Sequence, residues 1–167
     1  MGAMTYHAAS KQAVYLDADF DSPSDPSAVY QPGDPKGKKV AIPGLVAGLD
    51  ALWKKHGKLA FAELVQPAIT LADEGFVVSA YYAAIVDHYA DVLRSSEYGK
   101  KTFFPDGEAI KAGAILKQPE VAAFLRSLAS EGAAYMYGGP WGEQLVAEVA
   151  KHGGKVSLTD MRSYEAA

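Results

Sequence analysis

Cysteine is missing altogether, which removes a disulfide framework, a thiolate metal site and a cysteine nucleophile at once. Histidine is scarce, and His7, His56, His88 and His152 fall at no ligand spacing such as H-E-x-x-H. His56 and His152 each precede a glycine at the end of an expected helix, where the helix dipole favours a cation. No apolar run reaches the ~18 residues of a membrane-spanning helix, so no membrane insertion is expected. The start of the chain has neither a basic n-region nor an apolar core. Dense positive charge is also lacking: sixteen Lys and Arg stand against twenty Asp and Glu, a formal net charge of −4. That balance argues against a nucleic-acid or anionic-membrane surface, both of which need clustered cations. The single basic cluster, Lys36-Gly37-Lys38-Lys39, lies among Pro and Gly and reads as a solvated loop.

What is present is a chain of 167 residues, 49% apolar, enough for one domain or one lobe of a larger one. The first four residues read as an appended start, with the natural chain beginning further upstream. Residues 5–16 read as two short strands, with Tyr6 and then Val14, Tyr15 and Leu16 as strand formers. An isolated hairpin is marginal in water, so this one is expected to join a larger sheet. Residues 17–39 shift to Asp, Ser, Pro and Gly and read as a long loop, completing a 5–39 hairpin-plus-loop segment. From residue 40 to 167 the chain reads as a helical lobe. Leu45, Leu49, Leu52 and Trp53 share one helical face, stopped by Gly57. A second helix carries Leu64, Val65, Ala68, Leu71 and Ala72 to Gly75, with Pro67 kinking or restarting it. Ser79 is placed to cap a third helix running to about Ser95, and residues 97–117 read as irregular around a Pro105-Asp106-Gly107 turn. Pro119 opens a fourth helix ended by Gly132, and a fifth spans 141–152. Ser157 with Asp160 forms a capping-box signature for a last short helix. The class is mainly α with one N-terminal β-hairpin, one partial domain of a larger protein.

Chemistry is hard to find in these residues alone. Pro43-Gly44-Leu45-Val46-Ala47-Gly48 lacks the Lys-Ser/Thr of a phosphate loop. Asp17, Asp19, Asp21 and Asp25 alternate but have neither the mid-loop glycine nor the terminal glutamate of a calcium loop, and read as solvated turn carboxylates. No serine sits in a G-x-S-x-G elbow. No metal or cofactor is expected.

The order of the punctuated segments is more informative. Ile42-Pro43-Gly44-Leu45-Val46-Ala47-Gly48-Leu49 is followed by Gly57-Lys58-Leu59. Then come Gln66-Pro67-Ala68-Ile69, Leu71-Ala72, Gly75-Phe76 and Val78-Ser79. Phe104-Pro105-Asp106-Gly107, Gln118-Pro119, Leu125 to Gly132, Gly153-Gly154, Asp160 and Tyr164 complete the series. Together, over residues 40–164, the chain resembles the middle of the large subunit of γ-glutamyltranspeptidases. The resemblance implies a helical lobe of an αββα N-terminal-nucleophile hydrolase, made as a precursor that cleaves itself into two subunits. It implies a partner, the small catalytic subunit, that carries the threonine nucleophile and its oxyanion glycines, so no catalytic residue is expected in this chain. Such proteins work in a periplasmic or extracellular setting on small γ-glutamyl or acyl amides. The family places an Arg just after the hairpin to clamp the substrate α-carboxylate. Here that position falls on Asp19 or Phe20, in Leu16-Asp17-Ala18-Asp19-Phe20-Asp21. A carboxylate there would repel what Arg grips. Three readings stay open: a γ-glutamyl enzyme fragment, a divergent acylase of the same family, and a free-standing helical interaction module.

Overall fold

The computed structural model describes residues 1–34 and 38–167; Pro35, Lys36 and Gly37, and with them half of the expected basic loop, lie outside the described residues. The chain divides into two compact units, Met1–Phe61 with Ser130–Ala167, and Ala62–Ala129. It is mainly helical with an N-terminal strand pair, and no described helix is long and apolar enough to cross a membrane.

The first unit opens on an antiparallel hairpin, β1 (Gly2–His7) and β2 (Gln12–Asp17), in register from Gly2↔Asp17 to His7↔Gln12. Residues 2–4, read from the sequence as an appended start, form the first half of β1. Lys11 takes φ 55° in the turn, and the Ser10 hydroxyl lies 2.9 Å from His7 Nδ1. In an antiparallel pair, alternate residues bond to alternate edges. Asp17 spends both backbone groups away from β1, exchanging bonds of 2.7 and 2.8 Å with Ala167. The same outer edge at Ala13 and Tyr15 has no backbone partner among the described residues. One hairpin face is also uncovered: Met4, Tyr6 and Tyr15 are 75%, 66% and 60% exposed.

After β2, a bridge between Asp21 and Ile42 closes the base of the Pro- and Asp-rich loop. Helix α1 (Leu45–His56) follows and ends at Gly57 with three basic residues in its last turn, which suits the helix dipole. Its small residue Gly48 lies against the residue that follows β2, where an added Cβ would meet Ala18 Cβ at 2.4 Å.

The second unit starts within α2 (Phe61–Glu74), which runs unbroken through Pro67. Proline in a helix interior leaves the carbonyl four residues back without its donor. Of the two expectations for Pro67, a kink or a restart, the restart does not occur. Gly75, at φ 92°, turns the chain into β3 (Phe76–Val77), which pairs with β4 (Ile115–Leu116).

Between those strands the expected single helix from 80 to 95 is broken into α3 (Ala80–His88) and α4 (Ala90–Leu93), because Tyr89 leaves helical geometry at ψ 19°. The stretch expected to be irregular contains α5 (Glu97–Phe103), capped by Ser96. The Pro105–Gly107 turn forms a single 3₁₀ turn, as expected. Val78, Val86, Phe104, Ile110 and Leu116 make this unit's core. Helix α6 (Pro119–Glu131) leads out of it, opened by Pro119 as expected.

Ser79 accepts the Tyr82 N–H at 3.1 Å and caps α3 as the sequence predicts. Replacing Ser79 with Ala is expected to cost about 1 kcal/mol. For a protein of this size that lowers the melting temperature by roughly 2–4 °C in a calorimetric scan.

Back in the first unit, α7 (Ala134–Tyr137) and α8 (Pro140–Lys151) form a helical corner. Helix α9 (Leu158–Ser163) carries the capping box in full: the Ser157 hydroxyl accepts the Asp160 N–H, and Asp160 returns to the Ser157 N–H.

Candidate functional site

Residues 17–21 and 164–167 meet at one end of the first unit, around a depression of about 240 Å³. Its lining is Asp17, Asp19, Phe20, Asp21, Tyr164, Glu165 and Ala167. Two features of the sequence put these residues side by side although 145 positions separate Asp19 from Tyr164. One is the pairing of Asp17 with Ala167. The other is the Tyr164 hydroxyl, which donates to the Asp19 carbonyl at 2.5 Å.

A pair of tyrosines fastens this end to α1. Tyr137 donates to the Pro43 carbonyl at 2.6 Å and accepts the Ala47 N–H at 3.1 Å, bracketing the start of the helix. Its ring stacks on Tyr164 with centroids 5.8 Å apart and planes 10° from parallel. Gly44 lets the tyrosine pair close on the chain; an added Cβ would sit 2.1 Å from both the Asp19 carbonyl oxygen and the Tyr164 hydroxyl. Burial raises the Tyr137 phenol above its ordinary pKa. Burial also raises Tyr164, with the negative charges of Asp17, Asp21 and Asp19 adding to the shift.

The carboxylates themselves are spent locally. Asp17 Oδ1 accepts the Asp19 N–H at 3.0 Å, Asp21 Oδ1 the Ser22 N–H at 2.7 Å, and Asp25 Oδ1 both donors of Ser27. These are turn-capping contacts of the kind short acidic side chains make. Asp19, one of the two positions singled out, accepts the Phe20 N–H at 2.9 Å and lies 3.8 Å from the Met1 ammonium. Phe20, the other, is 72% exposed on the rim. Among the described residues no Lys or Arg lines the depression. Of the three arginines, Arg94 and Arg126 belong to the second unit, and Arg162 on α9 is outside the lining set.

Sequence reasoning marked Asp19 and Phe20 but not Tyr164, Glu165 or Ala167 beside them. Nothing local in the sequence signals a contact of that separation.

Against known proteins, the gamma-glutamyltranspeptidase family model matches residues 2–167. Glutathione hydrolase 2 of Arabidopsis thaliana is 39% identical over 126 residues, 75% of this chain and 22% of that protein. The acylase ACY 1 proenzyme of Pseudomonas sp. (strain V22) is 37% identical over 128 residues, 76% of this chain and 23% of that protein. Among solved structures, the Helicobacter pylori gamma-glutamyltranspeptidase superposes with a TM-score of 0.89 at 26% identity, over 100% of this chain and 51% of that one. The chain thus spans about a fifth of the length of the curated relatives it matches.

Proposed function

This chain belongs to the gamma-glutamyltranspeptidase family, as part of the large subunit, and on that premise we propose that the full-length protein is an N-terminal-nucleophile hydrolase whose acyl donor carries no carboxylate at the clamp position. The observation that carries the reading is the depression at residues 17–21, lined by Asp17, Asp19, Asp21 and Glu165 and, among the described residues, by no Lys or Arg. An α-carboxylate placed there would meet like charge where a bidentate guanidinium is needed. A neutral or cationic acyl group meets no such penalty, which favours the acylase branch of the family over the glutamyl branch. The exposed Phe20 ring beside the carboxylates offers an apolar surface for that group.

The chemistry belongs to residues outside this chain. A threonine hydroxyl at the amino terminus freed by self-cleavage attacks the amide carbonyl, its proton passing to the threonine's own α-amine. Backbone N–H groups hold the oxyanion. Collapse expels the amine, which takes that proton, and leaves an acyl ester that water or a second amine resolves. This chain contributes the wall that selects the acyl group and is inert alone. Its partner is the small subunit of the same precursor. The uncovered Met4, Tyr6 and Tyr15 face and the outer edge of β2 are surfaces such a partner would cover.

Hydrolysis of γ-glutamyl-anilide and of neutral acyl-anilides by the processed full-length protein tests this. Neutral substrates are expected to have the higher kcat/KM by about tenfold or more, roughly 1.4 kcal/mol of discrimination. An Asp19→Arg variant is expected to shift the ratio toward the glutamyl compound. A strong glutamyl preference in the unaltered enzyme overturns the proposal.

A further inference from the structure

The second unit carries a cavity of its own, about 490 Å³, lined by Arg94, Glu97, Lys100, Lys101, Phe104 and Gly107. Three cations face one carboxylate there, the reverse of the balance in the depression described above. The arginine is the organised element. Its guanidinium lies 4.2 Å from the centroid of the Phe104 ring, a ring that is itself buried in the core. One terminal nitrogen donates to the Gly107 carbonyl at 3.1 Å. The ring face and a carbonyl contact hold the guanidinium without neutralising it. Among the described residues Arg94 pairs with no carboxylate, and most of its donors remain for another acceptor.

The carbonyl that orients Arg94 is held by an unusual backbone. Asp106 takes φ 59° and Gly107 φ 83°, consecutive left-handed residues after Pro105. A non-glycine residue in that region carries strain of about 1 kcal/mol or more. The turn nonetheless presents Gly107 to Arg94. Lys100 and Lys101 complete the wall, each tethered at one side, to Glu97 at 2.6 Å and to Glu120 at 2.9 Å. Glu120 lies outside the lining, so Lys101's tether puts no second carboxylate in the cavity.

We infer that this cavity binds a small soluble oxyanion, carboxylate or phosphate, whose oxygens take the free fork of Arg94 with the two lysines flanking. A planar or tetrahedral oxyanion matches the fork geometry of a guanidinium. Its lining shares no residue with the acyl-selecting depression, and it does not depend on the substrate reading.

The test uses the full-length protein, titrated with inorganic phosphate and with succinate at constant ionic strength and followed by calorimetry. Saturable binding of either anion is expected, weakened at least tenfold in Arg94→Gln and by a smaller factor in Arg94→Lys, which keeps charge but loses the fork. Lys151→Gln, on α8 of the first unit and not among the lining residues of this cavity, is expected to bind like the unaltered protein. The ratio of the two affinities tells whether the acceptor is phosphate or carboxylate. Titrations no larger than those with potassium chloride overturn the inference, as does saturable binding unchanged in both Arg94 variants. Melting curves of the two variants, run in parallel, identify any loss that comes from unfolding, and Lys100→Gln then supplies the same readout on a residue that supports no turn.

Discussion

Replacing Gly44 with Ala is expected to cost about 3 kcal/mol, which for a chain of this size lowers the melting temperature by roughly 6–12 °C. The reason is space, not backbone freedom. Gly44 sits at φ −95° and ψ −16°, where any residue is at ease. A methyl group there would lie 2.1 Å from the Asp19 carbonyl oxygen, 2.1 Å from the Tyr164 hydroxyl and 2.6 Å from the Ala18 carbonyl oxygen. Tyr164 can swing away, at the loss of its bond to Asp19. The backbone of residues 18 and 19 cannot yield so easily. Ala18 is bonded to Met1 in both directions, and Asp17 to Ala167. Overpacking of this sort typically costs 1–3 kcal/mol and more when backbone must move. A Tyr164→Phe change on top of Gly44→Ala is expected to recover only part of the loss, since the carbonyl clashes remain. A melting temperature for Gly44→Ala within about 2 °C of the parent would show that the contact is slack.

The second large effect is expected at Asp160, a buried carboxylate held by three hydrogen bonds. Only 6% exposed, it accepts the Ser24 N–H at 3.0 Å on one oxygen. Its other oxygen accepts the Ser157 N–H at 2.8 Å and the Ser157 hydroxyl at 2.7 Å. Burial works to raise its pKa, but the bonds from Ser24 and Ser157 outweigh it and bring the value from 3.8 to about 2. A folded-state pKa below the unfolded one means stability that is fully present above pH 4 and is lost as the pH falls toward 2. The shift corresponds to about 2 kcal/mol. Asp160→Asn removes the charge and turns an NH₂ toward donors that need an acceptor, so a loss of roughly 3 kcal/mol is expected at pH 7. Urea titrations at pH 7 and pH 3 check both claims: the gap between parent and variant should shrink at the lower pH. An equal gap at both would mean that the carboxylate's charge is irrelevant to its hold on Ser24.

That pair of residues also illustrates how much of the fold could be read in advance. The capping box at Ser157 and Asp160 and the cap at Ser79 are local signals spanning three residues. So are the stops at Gly57, Gly75 and Gly132, and all of them stand where the sequence puts them. The second job of Asp160, holding Ser24 across 136 positions, is nonlocal and left no trace in the pattern. Helix α5 was hidden for a related reason. Its Gly99 reads as a breaker, yet an added Cβ there would lie 1.9 Å from the Leu93 carbonyl oxygen, so packing demands glycine inside a helix. The break at Tyr89 has no glycine or proline to announce it. Strands of two residues, as in β3 and β4, are too short to show alternation. Of the candidate site, residues 19 and 20 are singled out by family resemblance alone, and the facing residues 164–167 leave no mark as its lining in the sequence.

The bond pair between Asp17 and Ala167 also bears on the order of assembly. Closing a loop of 150 residues costs about 4 kcal/mol in chain entropy before any contact repays it. The hairpin it extends closes across a turn of four residues and forms in microseconds. The outer side of Asp17 therefore gains its partner only when the far end of the chain is brought to it. During that interval the strand offers an open edge beside exposed Met4, Tyr6 and Tyr15. The same edge that closes the fold is thus its most vulnerable point on the way there, the place where a neighbouring chain could add a strand first.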